Sequence, residues 1–173
     1  MFYVRKLSNN PNLEKVKSIE DVGDLDADFL KQELGTTGNA LSFWKCDSIE
    51  ELKDTFKAIL LSTTGIKTSQ FFIISDEIIN KYGFKMDDTQ LGETGYRGFE
   101  RLHVNMTDLT YSKVGTVIQM LNEVFKDSQN TPKLNRDEVK AYIMEVKQAG
   151  LLNEDALQDR LRKDIDKYCN VSN

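Results

Sequence analysis

Ser69-Gln70-Phe71-Phe72-Ile73-Ile74-Ser75 is the stretch that decides the fold. A continuous apolar run of this length, bounded by polar residues, reads as a strand covered on both faces. A sheet buried on both sides needs helices above and below it, so the flanking sequence is read for helices first.

Upstream, Ser48-Ile49-Glu50-Glu51 has the form of a capping box, in which serine and glutamate satisfy each other's free amides. Leu52, Phe56, Ile59 and Leu60 then fall on one helical face, and Gly65 suits the left-handed position after a helix end. Ala40 to Cys46 precedes that helix as a strand, with Trp44 as core or subunit contact, and Phe2 to Leu7 reads as the first strand. Between these two strands lie a polar segment, an acidic turn at Asp24-Leu25-Asp26 and a helical spacing at Phe29, Leu30 and Leu34. The acidic run resembles the opening of a calcium loop. It has Phe29 and Gly35 where that loop needs glycine and glutamate, so acids at a helix N-terminus explain it better.

Downstream, Asp76 is placed to cap a short helix holding Ile78, Ile79 and Tyr82. A glycine-rich loop follows, with Gly92, Gly95 and Gly98. Its spacing fits no phosphate-binding pattern, and a strand rather than a helix comes after it, so it reads as a mobile surface loop. Val114, Val117, Ile118, Leu121 and Phe125 form an amphipathic stripe. Ser128 to Leu134 reads as a linker, and two further helices follow it, the first opened by Asn135-Arg136-Asp137-Glu138 and the second carrying Leu157, Leu161, Ile165 and Tyr168.

The order of elements predicts an α/β (or α+β) fold: about four strands in a mixed sheet, flanking helices, and a C-terminal helical hairpin. Residues 1–128 form the α/β domain in this reading. Residues 129–173 form the hairpin, an appendage or docking arm whose inward stripe is Leu157, Leu161, Ile165 and Tyr168.

The best chemical lead is Phe99 to Met106. In a strand, Leu102, Val104 and Met106 point one way, and Arg101, His103 and Asn105 the other. His103 is the single histidine, able to act as acid or base near neutral pH, and Arg101 can hold an anion, with Arg97 just upstream. This predicts an edge strand, or a face open to a ligand, with the glycine loop as a lid. The candidate catalytic residues are therefore His103 and Arg101. The candidate ligand-binding residues are Arg97, Arg101, His103 and Asn105.

Composition sets the outer bounds. The chain has 173 residues and a formal net charge of −5, and its basic residues form no uninterrupted patch, which disfavours nucleic-acid binding as the main task. Two widely separated cysteines and one histidine do not make a zinc site, and they read as reduced thiols in a cytoplasmic protein. The start of the chain has no apolar leader, and no run is long enough to span a membrane. No cofactor or metal is expected.

Two functions follow. The favoured one is a non-enzymatic cytosolic interaction module: an accessory or regulatory subunit of a regulatory, toxin-neutralising or defence complex, partnered by another protein or by a second copy of itself. The alternative is a small enzyme or ligand-binding protein using the Arg101, His103 and Asn105 face for an anionic small molecule.

Overall fold

A computed structural model describes residues 1–7 and 38–169. The helix predicted around Phe29, Leu30 and Leu34 and the acidic run before it lie outside the described residues. The strands are β1 (Phe2–Leu7), β2 (Leu41–Cys46), β3 (Ser69–Ser75), β4 (Lys85–Asp87), β5 (His103–Thr107) and β6 (Lys133–Leu134). The helices are α1 (Leu52–Leu60), α2 (Asp76–Lys81), α3 (Val114–Phe125), α4 (Arg136–Gln148) and α5 (Asp159–Cys169).

The mixed α/β class holds, but the sheet is larger than four strands and its pairing is different. Among the described residues six strands run in the order β4-β5-β2-β1-β3-β6, and every neighbouring pair is antiparallel. Strand-helix-strand alternation requires β2 and β3 to be parallel, and they are. It does not require them to be neighbours, and β1 lies between them, antiparallel to both. The two extra strands have three and two residues and carry no hydrophobic alternation, so they read as loop. Both lie at the sheet edges, where short strands limit pairing with other chains.

Alternation divides the sheet side chains between two cores. Val4, Trp44, Cys46, Phe71 and Ile73 face α1, α4 and α5. Tyr3, Leu41, Phe43, Phe72, Ile74, Val104 and Met106 face α2 and α3. The apolar run that decides the fold is thus split residue by residue, Phe71 and Ile73 to one layer, Phe72 and Ile74 to the other.

Local signals are met unevenly. Asn135 and Glu138 form the full capping box of α4. At α1, the Asp47 amide instead donates to Glu51, which stands at the N-cap, and Ser75 rather than Asp76 caps α2. Gly65 is not left-handed. A Cβ there would lie 2.8 Å from the Asp164 carboxylate, which accepts the Ile66 amide at 3.0 Å. The glycine lets α5 approach the turn after α1.

The C-terminal segment shares the sheet and the core. β6 pairs with Ser69 and Gln70 of β3. Leu157, Leu161 and Ile165 are 5%, 0% and 2% exposed and pack in the same cluster as Val4 and Phe71. Tyr168 is half-buried beneath the Arg136 guanidinium, 4.5 Å from its ring centre. Arg162 donates to the Glu154 carbonyl, tying α5 to the turn before it.

An ionic network joins α1 to α4. Glu145 accepts from Lys53 at 2.8 Å and Lys57 at 3.1 Å, and Lys57 also reaches Asp54. Burial opposes the Lys57 charge, but its hydrogen bonds to Asp54 and Glu145 hold the ammonium above its usual range. The Lys53 and Lys57 hydrogen bonds hold the Glu145 carboxyl below its usual range.

Two outcomes are expected. Leu161→Ala should cost about 2–5 kcal/mol, as cavities in close-packed cores do, and urea unfolding should stay a single transition. Separate melting of α5 would show that it is detachable. Stability from Glu145 is present above the unfolded carboxyl value of about 4.3 and is lost as pH falls through its lower folded value. Glu145→Gln should therefore flatten the acid side of the stability-pH curve. The effect should be modest and shrink with salt, because the pair is partly exposed.

Candidate functional site

The predicted site residues do not form one site. β5 starts at His103, and Arg101 sits in a short 3₁₀ turn, Glu100–Leu102, so strand alternation does not extend to it. β5 also has a neighbour on each side, β4 and β2, and is not at the edge. His103 and Asn105 do share a face, opposite Trp44 and Ser42 of β2.

That face is partly covered by the chain itself, which leaves His103 half-buried. The loop after β4 runs back across it as a strap. The His103 ring meets Trp44 edge to face, with centres 5.5 Å apart, and its Nδ1 lies 3.2 Å from the Gln90 carbonyl. Asn105 is 8% exposed. It accepts from the Ser42 hydroxyl at 3.1 Å and donates to the Gln90 side chain at 3.2 Å. At Gly92 the strap is so close that a Cβ would lie 2.6 Å from the His103 Cβ and 2.7 Å from the Trp44 ring. Glycine is needed here for proximity rather than for an unusual dihedral angle.

Beyond Gly92 the loop is anchored rather than exposed throughout. Thr94, 1% exposed, donates its hydroxyl to the Ala58 carbonyl at 2.7 Å. The Gly95 amide donates to Leu61, and its carbonyl accepts from Asn153. A Cβ at Gly95 would overlap Leu157. Tyr96 bridges to Leu152, and its ring stacks on Phe99 at 3.8 Å. The expectation of a mobile surface loop fails for Thr94 to Tyr96 because these residues are the packing between α1 and the connection from α4 to α5.

Arg101 faces elsewhere. It lines a cleft of about 680 Å³ between its own turn, the end of β2 and the start of α1. Lys45 also lines it, paired with Asp88 at 2.6 Å. Asp47, Glu51 and Asp54 complete its charged wall, and Phe99 and Leu102 are its apolar side. Four carboxylates therefore meet two cations, so a simple anion would be repelled. His103, Asn105 and Arg97 are not among the residues that line the cleft.

Sequence reasoning missed the cleft because its walls come from three separate segments, with no shared period or spacing. The one available signal was the acid-rich turn Asp47 to Asp54 directly after a strand.

Thiol chemistry has no support in the geometry. Cys46 and Cys169 are free and buried, and burial pushes both thiols up, away from the reactive thiolate. Among the described residues no group of three or more His, Cys, Asp or Glu side chains is placed to hold a metal ion, and no helix is long and apolar enough to cross a membrane.

Gly92→Ala should destabilise the protein by about 1–3 kcal/mol, since overpacking at a tight contact costs that much. It should also change the emission of Trp44, the only tryptophan and a direct neighbour of the strap. Denaturation followed at this fluorophore reads both effects, and an unchanged midpoint would mean that the strap lies more loosely over His103. No protein-family model matches the chain, no curated protein matches it, and no solved structure matches it.

Proposed function

We propose that the protein is a non-enzymatic interaction module, an accessory or regulatory subunit that works in the cytoplasm bound to a protein partner or to a second copy of itself. The observation that carries this reading is the strap packed across the His103 face. The half-buried imidazole is engaged by Trp44 and the Gln90 carbonyl, and the strap packs against its Cβ at Gly92. A general acid or base must reach the proton it moves, and the chain's own strap takes up Nδ1 and one side of this ring.

The C-terminal stripe supports a rigid module rather than a detachable arm, because Leu157, Leu161 and Ile165 are spent on the internal core. A partner would meet the outer surface. Tyr111 stands out there: it is 96% exposed, on a short 3₁₀ turn that leads into α3. Tyrosine is among the residue types that most often anchor interfaces, having much contact area and little conformational freedom to lose.

The alternative is an enzyme or ligand binder on the Arg101, His103 and Asn105 face. An intact native mass spectrum of protein gently purified from the cells that make it separates the two. A stoichiometric protein partner or a defined homo-oligomer is expected, with Tyr111→Ala weakening the association roughly tenfold or more. A bare monomer carrying a small adduct that is lost in His103→Ala would overturn the proposal in favour of the ligand reading.

A further inference from the structure

Among the described residues, two charged groups of this cleft, Arg101 and Asp47, make no ion pair. Arg101 is exposed, and its guanidinium makes no ion pair among the described residues. The Asp47 carboxylate likewise makes none, although its backbone amide donates to Glu51. The other charges are committed: Lys45 holds Asp88, and Asp54 accepts from Lys57 and the Tyr96 hydroxyl. What the cleft offers a visitor is one cation on one wall, one to two carboxylates on another, and an apolar surface from Phe99 and Leu102. Phe99 is fixed by its stack on Tyr96, which is itself held by Asp54.

We propose that this cleft binds a small zwitterion with an apolar side chain, of the α-amino acid or dipeptide class. Its carboxylate would pair with Arg101, its ammonium with Asp47 and Glu51, and its side chain would lie on Phe99 and Leu102. The physical argument is charge matching. An anion meets four carboxylates, and a cation gains the acids but leaves Arg101 unanswered. A ligand carrying both charges answers both walls, and charge-assisted hydrogen bonds are the strong ones. The volume of about 680 Å³ lies within the range of small-molecule sites. The inference is independent of the interaction-module reading and of the His103 face.

The test is a titration of the whole protein with L-leucine, followed by backbone amide shifts and calorimetry. Two analogues remove one charge each: 4-methylpentanoate lacks the ammonium, and 3-methylbutylamine lacks the carboxylate. Saturable shifts confined to the end of β2, the start of α1 and the Phe99 to Leu102 turn are expected with leucine. Each analogue, and each of Arg101→Ala and Asp47→Asn, should bind about tenfold more weakly or worse. Both substituted residues are exposed, so unfolding midpoints should not move. Absence of shifts into the millimolar range, for leucine and for leucyl-leucine, would overturn the proposal. So would equal binding of 3-methylbutylamine and leucine, which would reduce the cleft to an acidic patch that attracts any amine.

Discussion

Both faces of β3 are dry, and the rest of the architecture answers to that constraint. Phe71 and Ile74 are fully buried, Phe72 is 2% exposed and Ile73 7%. A strand of this kind is stable only inside a sandwich, because each face removes large apolar side chains from water. One face is covered by α2 and α3. The other receives α1 first, but a nine-residue helix is only about 14 Å long and cannot roof the sheet alone. The remaining cover comes from α4 and α5. This is why the C-terminal hairpin belongs to the core, with its apolar side chains in the same cluster as Phe71 and Ile73.

The same constraint explains the strap. Roofing one face with α1, α4 and α5 leaves the β5 side of that face, where His103 and Asn105 stand, beyond the reach of the helices. The chain covers it with loop. Loop over a sheet must satisfy its own backbone groups, and this one donates amides to the Leu61, Leu151 and Glu100 carbonyls. Two of the glycines that suggest flexibility in the sequence, Gly92 and Gly95, are here the places where two surfaces come too close for a side chain. Polar residues on β5 are then partners for the strap. Asn105 uses its amide twice, and the imidazole faces a carbonyl.

Much of the layer architecture was legible, because burial periodicity is a local property. The split of Phe71 to Ile74, the α3 stripe and the Asn135 capping box could all be read from neighbouring residues. Pairing was not. Whether β1 lies beside β2 or between β2 and β3 leaves the same alternation in the sequence, and only the packed sheet distinguishes them. The edge strands β4 and β6 were invisible for a different reason: they are defined by hydrogen bonds to their neighbours and carry no pattern of their own. The candidate site shows the same limit. His103 and Asn105 were correctly placed on one face by strand period, whereas Arg101 left that face when the backbone turned one residue before the strand.

Charge explains why the Arg101 neighbourhood changed character between sequence and structure. Along the chain Arg101 sits with Arg97, His103 and Asn105, and looks like part of a cationic surface. In space its neighbours are Asp47, Glu51, Asp54 and Asp88, brought in by β2, α1 and the start of the strap. On a protein with a net charge of −5, folding tends to surround an exposed cation with carboxylates, since that lowers self-repulsion. Lys45 and Lys57 have been neutralised in this way. Among the described residues Arg101 has not, although carboxylates stand within the same cleft. A guanidinium held close to acids but not paired with them keeps its directional donors available. That is a more selective arrangement than the open cationic face suggested by the sequence, because it admits a carboxylate only when the same molecule also brings a positive charge.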